Sequence, residues 1–265
     1  MTLHLGYYMG KKYIVHTPQD IAGIKIAAAK TAEVRDRLAQ VVRPGMTTLE
    51  LDELAKEYIA DTGGTSAFYQ YHKFPGQVCI SLNDEIVHGF GSPNRRIAYG
   101  DLVSFDVGVK YNGCIGDTAR TVCVGPLMDE KARLMSITEE SLYVGIDAAR
   151  KNNFVNDIGR AIETFVKKEK LGIVRQFVGH GCGKKLHEPP EVPNYAVRKR
   201  GCRLHPGMVL AIEPMITLGT HKVKVLSDKW TAVTADGSLS AHFEHMILIT
   251  ESKPEVLTWQ KKKKL

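Results

Sequence analysis

The feature that most constrains the fold of this chain is a pair of strand-like segments, residues 102–109 and 115–124, on either side of Asn112-Gly113. Asn-Gly between two β-prone runs is a strong signal for a two-residue hairpin turn. Apolar residues alternate along the first segment, so that one face packs on the core and the other carries Asp106. The pattern therefore predicts an antiparallel strand pair with helices against its apolar face.

The second segment carries another aspartate, Asp117, which shares a face with Asp106 under either sensible turn. A turn centred one position before Asn112-Gly113 sets the two aspartates directly opposite, about 5 Å apart. The tight Asn112-Gly113 turn pairs Asp106 with Ala119 and leaves Asp117 on the diagonal, about 7–8 Å away. Two bare carboxylates so placed repel each other unless cations lie between them. A sheet face open to water is the alternative explanation, and these two residues alone leave it open.

Helix signals occur in two similar sets. Thr17-Pro18 predicts the start of a helix that runs to Val42, and a capping box at Thr47–Glu50 predicts the start of a second, which ends at Gly63-Gly64. Helical periodicity returns at residues 128–151 and 157–170. Strand-like runs follow each helix pair, at residues 78–81, 102–109 and 115–124, and then at residues 174–178, 208–212 and 240–250. Two helices followed by strands, twice over, predict one compact α+β domain made of two related lobes.

Four further segments each place a chemically active side chain in apolar or glycine-rich sequence: His88, His180, Glu213 and Glu244. The glycines on both sides of His180 let the backbone turn sharply there. Glu213 ends an apolar run, where a carboxylate is costly unless it is paired with a cation. A buried Glu–Arg or Glu–Lys pair explains any one segment equally well, and His187 and His242 are also explained as ordinary surface or core histidines. Spacing alone does not show that these groups meet.

Composition restricts the class of protein. Of the 265 residues 43% are hydrophobic, enough for one substantial core, and no apolar run reaches the about 18 residues that span a bilayer. Five cysteines without CxxC spacing predict reduced thiols, and residues 1–16 show no secretory signal, so we expect a cytoplasmic protein.

The net charge of +7 includes the run 261–264, for which we expect a solvated tail. Weak attraction to RNA or ribosomes is the sharper interpretation of that run.

Taken together, these segments resemble the type I methionine aminopeptidases, enzymes of the pita-bread fold, from about residue 17 to about residue 258. The pieces that match the family in order are Val78–Asn83, Val87–Gly89, Asp106 with Asp117, Gly179–Gly183, His187–Pro189, Gly207-Met208, Ile212–Met215 and Glu244-His245. The resemblance implies an α+β architecture in which helices cover a curved antiparallel sheet. It implies an extension at 1–16, a catalytic domain at 17–258 with pseudo-repeats at 17–127 and 128–258, and a basic tail at 259–265.

The activity that the resemblance implies is removal of the initiator methionine from nascent proteins and peptides, with a preference for a small second residue. It implies two divalent metal ions, Co, Mn, Fe or Zn, held by Asp106, Asp117, His180, Glu213 and Glu244. Of these, Asp117 and Glu244 correspond to the pair that bridges both ions, and Glu213 is our choice for the proton carrier. Some family members also hold a monovalent cation, Na or K, in a region that corresponds to Asn83, Glu85 and Ser240.

Two histidines and an apolar pocket complete the implied site. His88 and His187 correspond to residues that contact the peptide and stabilise the transition state. The implied methionine pocket consists of Tyr71, Phe74, Cys79, Leu186 and Trp230. The chain departs from the family at Phe74, where Tyr is more usual, at Leu186, where Phe is more usual, and at the bulkier Phe68. These departures leave the shape of the pocket, and so the tolerance for the second residue, open.

Three rival interpretations remain. Prolidase or aminopeptidase P activity occurs on the same fold, but such relatives carry a large N-terminal domain, for which residues 1–16 are too few. Type II methionine aminopeptidases need a long insertion between His180 and Glu213, and the segment here is too short. A binding protein on this fold is expected to lose metal ligands, and all five are retained. We therefore expect a monomeric enzyme of peptide N-termini with no membrane or specific nucleic-acid partner and, through its tail, weak ribosome association.

Overall fold

The computed structural model describes residues 13–259. Its helices are α1 (Pro18–Val41), α2 (Thr48–Asp61), α3 (Asp129–Ala148) and α4 (Val155–Lys168). Its first strands are β1 (Thr65–Ser66), β2 (Cys79–Leu82), β3 (Glu85–Val87), β4 (Leu102–Tyr111) and β5 (Cys114–Cys123). The later strands are β6 (Gly172–Ile173), β7 (Gly179–Gly181), β8 (Glu188–Val192), β9 (Val209–Ile212), β10 (Met215–Thr217), β11 (Val223–Val225), β12 (Ala232–Thr234), β13 (Ser240–His242), β14 (His245–Leu248) and β15 (Glu255–Val256).

The predicted caps of the first lobe are present. The Thr17 hydroxyl accepts from the backbone N–H of Asp20 at 3.1 Å at the start of α1. At the start of α2, Thr47 and Glu50 form a reciprocal capping box. Each cap satisfies backbone donors that the first helical turn leaves free, which is why the sequence signal located both helix starts.

The helices of the second lobe differ from their predicted bounds. We predicted one helix over residues 128–151, but α3 ends at Ala148 and the chain turns at Asn152, whose φ is 73°. We predicted the next helix from Asp157, but α4 begins two residues earlier. The Asp157 carboxylate accepts from the backbone N–H of Phe154 at 2.8 Å, so that Asp157 occupies the third position of the helix instead of beginning it.

Two predicted strands are divided between sheets. We predicted a strand over residues 174–178, but these residues are irregular, and pairing occurs only on either side, in β6 and β7. We predicted one strand over residues 240–250, but it is broken at Phe243-Glu244 into β13 and β14. The run at residues 240–250 looks continuous because the chain stays buried as it passes from one sheet to another, and apolar content alone does not reveal that passage. In the run at residues 174–178, by contrast, Arg175 and Gln176 are exposed.

The strands form four antiparallel sheets. β4 pairs with β1, β2 and β5 in one sheet, and β15, β14, β9, β7 and β8 form the largest. The two smaller sheets contain β13, β10 and β6, and β11, β12 and β3. Helix α1 packs across β4 and β5, whereas α3 and α4 pack on each other and on the strands of the second lobe. This is the predicted α+β arrangement.

The hydrophobic core follows the lobes. One buried cluster lies under α1 and α2, another under α3 and α4, and a third between them contains Phe74, Cys79, Leu186 and Met246. No helix within residues 13–259 combines the length and apolarity that crossing a membrane requires. The predicted domain limits at residues 16 and 258 stay predictions, and the run Lys261–Lys264 lies outside the described residues.

Gly116 in β5 is required by the close approach of α1. A Cβ atom at this position would overlap the Thr31 hydroxyl and lie 2.6 Å from the carbonyl oxygen of Ala27, which belongs to the helix backbone. We expect Gly116→Ala to lower the free energy of unfolding by about 1–3 kcal/mol, the usual cost of overpacking. Urea denaturation measures this loss. Adding Thr31→Ala removes the nearer obstacle and should recover part of it, and a midpoint unchanged by Gly116→Ala would contradict the packing argument.

Candidate metal centre

Asp106 and Asp117 occupy the diagonal arrangement of a tight hairpin. Asn112 and Gly113 both have positive φ, 47° and 75°, as a two-residue turn of this kind requires. The register pairs Asp106 with Ala119 and Asp117 with Gly108, so both carboxylates lie on one face of the sheet. The turn with directly opposed aspartates, which the sequence left open, does not occur.

Glu213 and Glu244 enter the same region at two matched breaks in the sheet. β9 and β14 pair up to Ile212 with His245, and pairing resumes in β10 and β13 at Met215 with His242. The two glutamates fall in the gap between these ladders. The backbone N–H of Glu244 donates to the carbonyl of Ala119 at 3.0 Å, which joins this break to β5 beside Asp117.

Helix α1 supports Glu244 through a buried threonine. The hydroxyl of Thr118, the neighbour of Asp117, donates to the Glu244 carbonyl oxygen at 2.7 Å. The Arg35 side chain on α1 donates in turn to the same hydroxyl at 2.7 Å. All three groups are almost completely shielded from water. The loop at Glu244 is therefore held against β5 by side chains as well as by backbone pairing.

His180 projects from β7 at an irregularity in its pairing with β8. Gly179 allows close packing there, because a Cβ atom would collide with the backbone of Ala211. The His180 Nδ1 lies 2.9 Å from the carbonyl oxygen of Gly181, which can only accept, so Nδ1 carries the proton. His180 Nε2 is then a free acceptor, 3.5 Å from Glu213 Oε1 and 3.7 Å from Asp117 Oδ2. Imidazole ligands of metals are oriented in this way by a carbonyl behind them.

These five side chains form overlapping groups of ligand atoms. One group is His180, Glu213 and Glu244 and another is Asp106, Asp117 and Glu244, with the ligand atoms of each group within 4.8 Å of one another. Three buried oxygens of these five side chains have no hydrogen-bond partner among the described residues: Asp106 Oδ1, Asp117 Oδ1 and Glu244 Oε1. Buried carboxylate oxygens left in this way are costly unless they bind a cation. The donor set of carboxylates and imidazole therefore fits divalent metal ions, and two groups sharing Glu244 fit a pair of them.

Burial and mutual repulsion change the proton affinity of this cluster. Burial, followed by the charge of Glu213, raises the pKa of Asp106 to about 7 against an opposing effect of His242. Burial also raises the pKa of Glu213 to about 7, opposed by His180. The pKa values of Asp117 and Glu244 lie well above their ordinary range because of burial and the neighbouring carboxylates. Without a metal ion, the cluster retains protons near neutral pH.

This proton retention predicts the pH dependence of the metal-free protein. A folded pKa above the unfolded one gives stability that is lost as pH rises through the folded value. Buried histidines act oppositely, but only below about pH 6.5, where the unfolded chain gains protons that they do not. We therefore expect the unfolding free energy of metal-free protein to fall between about pH 6.5 and about pH 8. Urea denaturation after chelation measures it, and a rise across this interval would contradict the carboxylate assignment.

His242 is a neighbour of the cluster that the sequence did not distinguish from a core histidine. It is buried on β13, with Nε2 3.6 Å from Glu213 Oε2, and its backbone N–H donates to Thr121 Oγ1 at 2.8 Å. Burial lowers its pKa, against the effect of Asp106, so that the neutral ring is favoured. The available signal was its position two residues before Glu244 in an apolar strand.

His88 and His187 both lie near histidines of the site, His88 near His242 and His187 near His180. His187 Nδ1 is 2.9 Å from the hydroxyl of Tyr71, and the His187 ring stands edge-on to that of His180 at 4.4 Å between centroids. His88 follows β3 with φ of 63°, a left-handed conformation that is strained for a residue with a Cβ atom. Burial lowers the pKa of His88 to about 4 and that of His187 to about 2, so both are neutral in neutral solution.

The predicted pocket residues share one apolar cluster beside the carboxylates. The Phe74 and Trp230 rings meet edge to face at 5.1 Å, and the cluster also contains Tyr71, Cys79 and Leu186. Cys79 pairs across the sheet with Asp106. Phe68 belongs to the cluster as well, and its ring occupies the space above Gly108 that any Cβ atom would fill. Phe68 was absent from the predicted pocket set, although its size had been noted.

The residues that correspond to a monovalent-cation site, Asn83, Glu85 and Ser240, lie in neighbouring segments. The backbone N–H of Ser240 donates to the carbonyl of Asn83 at 2.8 Å, and Asn83 has φ of 53°. The Glu85 carboxylate accepts from the N–H of Leu82 at 2.8 Å and pairs with Arg95. A cation at this place stays a prediction.

Comparison with known proteins gives one family. A model of metallopeptidase family M24 matches residues 22–251. Methionine aminopeptidase 1 of Bacillus subtilis is 43% identical over 245 residues, 92% of this chain and 98% of the relative. The crystal structure of the Thermotoga maritima methionine aminopeptidase superimposes with a TM-score of 0.91 at 38% identity and covers 94% of this chain and 100% of that one. Prolidase from Pyrococcus furiosus, with a TM-score of 0.74, 23% identity and 94% of this chain matched to 66% of its own, shares the fold.

Proposed function

The chain belongs to metallopeptidase family M24, among the methionine aminopeptidases, and from this premise we propose which residues carry out its metal-dependent removal of N-terminal methionine. The observation that carries the proposal is the set of buried oxygens without hydrogen-bond partners on Asp106, Asp117 and Glu244, in overlapping groups of ligand atoms that also include His180. We expect two divalent ions, chosen from Co, Mn, Fe and Zn. Their ligands would be Asp106, Asp117, His180, Glu213 and Glu244.

Bound divalent ions would supply Lewis-acid activation of water and of the scissile carbonyl. The chain supplies the positions of these ligands and a route for the proton. Glu213 is proposed to take the proton from the attacking water and pass it to the leaving amine. Its side chain is 13% exposed, compared with 5% for Asp117, so it is the more accessible of these two carboxylates. Its two oxygens face His180 Nε2 at 3.5 Å and His242 Nε2 at 3.6 Å.

His187 and His88 are proposed to hold the peptide. The Tyr71 hydroxyl lies 2.9 Å from His187 Nδ1, and we propose that it donates its proton to that nitrogen. The proton of the neutral His187 ring then lies on Nε2 and can be donated to the carbonyl oxygen as negative charge develops on it. His88, packed edge-on against Phe177 at 5.1 Å and Trp230 at 6.4 Å, is held near the backbone of the peptide.

The apolar cluster of Phe68, Phe74, Cys79 and Leu186 is proposed to receive the methionine side chain. An unbranched thioether suits such a slot because it adapts to irregular apolar surfaces and contacts aromatic rings favourably. The edge-to-face pair of Phe74 and Trp230 closes one side of the slot. Preference for a small second residue is part of the proposal, and apolar pockets discriminate by about 1–3 kcal/mol per methylene.

Peptide turnover by metal-free protein, after addition of Mn, Co, Fe or Zn in separate reactions, tests the proposed function. We expect metal-dependent release of methionine from Met-Ala-Ser and no cleavage of Ala-Pro. Cleavage of Ala-Pro alone would show that the activity is that of the proline-specific relatives. Turnover that survives exhaustive chelation would refute the metal centre, and cleavage of neither peptide by protein with bound metal would favour a binding role.

We also propose that the protein is a cytoplasmic monomer that meets its substrates as they leave the ribosome. The support for ribosome contact is the charge of the run Lys261–Lys264. Removal of residues 261–265 should then weaken cosedimentation with ribosomes at low salt, and the difference should shrink as salt concentration rises and screens the contact. Unchanged cosedimentation would refute contact through the tail.

A further inference from the structure

A buried thiol lies beside the metal-ligand cluster. Cys182 follows β7 and is completely shielded from water. It stands two residues after His180, and side chains two apart along an extended segment point to the same side. The backbone N–H of Cys182 donates to the carbonyl of Val209 at 3.2 Å, which continues the pairing of β7 with β9. The thiol and the imidazole therefore face the same volume.

The geometry places this thiol within a third group of ligand atoms. The Sγ atom of Cys182, a ring nitrogen of His180 and a carboxylate oxygen of Asp117 lie within 4.8 Å of one another. Asp117 Oδ1 is buried and has no hydrogen-bond partner within residues 13–259. Cys79, the other buried thiol beside an aspartate of the cluster, belongs to no such three-residue group in the described part of the chain.

Apolar packing is the ordinary explanation of a buried cysteine. Cys182 does share an apolar cluster with Ile24, Leu186 and Met246, which accounts for its burial. Packing alone does not account for the carboxylate beside the thiol. The unpartnered Asp117 Oδ1 has a cation as its natural partner, and Cys182 Sγ belongs to the same group of ligand atoms.

We propose that Cys182 Sγ, together with His180 and Asp117, binds a thiophilic divalent ion such as zinc or cadmium. The inference rests on the proposed metal centre and deepens it by adding a sulfur donor to a site otherwise made of oxygen and nitrogen. Coordination forms a metal–sulfur bond and releases the thiol proton to solvent. Because thiolate favours Zn and Cd over Mn, the sulfur donor makes the centre selective for Zn and Cd.

Cobalt titration of the full-length metal-free protein tests the proposal, because a cobalt–thiolate bond gives a near-ultraviolet charge-transfer band that oxygen and nitrogen ligands do not give. We expect this band in the unaltered protein and in the matched control Cys79→Ser. It should be absent in Cys182→Ser and in Cys182→Val, of which the second keeps the site apolar in case a buried hydroxyl unfolds the protein. The visible bands of bound cobalt should persist in every variant.

Calorimetric titration with cadmium and manganese provides the second measurement. Loss of the sulfur donor should weaken cadmium binding at least about tenfold and leave manganese binding within about threefold of the unaltered protein. A charge-transfer band that survives in both Cys182 variants, or that disappears in Cys79→Ser, overturns the proposal. Failure of the unaltered protein to bind cobalt at all refutes the proposed metal centre itself. Normal cobalt binding without a sulfur band refutes only the role of Cys182.

Discussion

Replacing Glu244 by glutamine is expected to reduce kcat/KM for methionine release by at least about 100-fold. Loss of a hydrogen-bond partner of a metal ligand costs up to about 100-fold, and loss of a ligand itself should cost at least as much. Glu244 belongs to two groups of ligand atoms, one with His180 and Glu213 and the other with Asp106 and Asp117. Its loss therefore affects both proposed metal positions. The amide that replaces it has no negative charge to offer a cation. Metal content after dialysis against excess Mn and steady-state turnover of Met-Ala-Ser measure the two effects separately.

The same substitution should not destabilise the metal-free protein. Glu244 is buried among carboxylates that raise its pKa, and one of its oxygens is unpaired. Removing one potential charge from such a cluster relieves repulsion and desolvation. We expect metal-free Glu244→Gln at about pH 8 to unfold at a temperature no lower than that of the unaltered protein. Addition of Mn should then raise the unfolding temperature of the unaltered protein only.

Glu163→Gln is the matched control for loss of a buried carboxylate. Glu163 lies on α4, also shielded from water, and is paired with Arg175 and Lys167, each at 3.2 Å. It therefore has cationic partners of its own, and its replacement should lower stability while metal content and turnover stay normal. Metal binding that survives in Glu244→Gln, or that is lost in Glu163→Gln, would contradict the assignment of the centre.

Local signals were sufficient for the parts of the fold that depend on neighbours in the chain. The caps at Thr17 and Thr47 satisfy donors within a single helical turn, and the Asn112-Gly113 turn sets the register of β4 and β5 by itself. Once that register is known, the diagonal placement of Asp106 and Asp117 follows from the pleat. The caps therefore appear in the structure as predicted, and the diagonal placement is one of the two arrangements that the sequence leaves open.

Features that depend on passage between sheets were not predictable from periodicity. The breaks that place Glu213 and Glu244 in the site interrupt apolar runs that look continuous. The predicted strand over residues 174–178 is absent because the chain passes from β6 to β7 through the exposed residues Arg175 and Gln176. His242 and Phe68 were missed because their roles arise from contacts distant in sequence, with Glu213 and with Gly108. The five predicted ligands come from the resemblance, and only the structure shows that their side chains lie close together.

The second large effect is expected at His187, the residue proposed to stabilise the developing oxyanion. His187→Ala should lower kcat by about 10²–10³-fold, as loss of one oxyanion donor does, while metal content stays unchanged because His187 is not a ligand. Tyr71→Phe removes only the hydroxyl, 2.9 Å from Nδ1, that selects the ring tautomer, and a single hydrogen bond of about 1 kcal/mol predicts a loss of roughly fivefold.

Combining the two substitutions distinguishes a direct contact of His187 with the reacting carbonyl from a structural role of its ring. If His187 acts through Nε2, His187→Ala in combination with Tyr71→Phe should be no slower than His187→Ala alone, because without the ring the hydroxyl has nothing to orient. Single-turnover rates of Met-Ala-Ser cleavage at saturating metal measure this cycle. Additive losses, or loss of metal from His187→Ala, would show that the ring supports the site structurally, through its edge-on contact with His180 at 4.4 Å, instead of binding the reacting carbonyl.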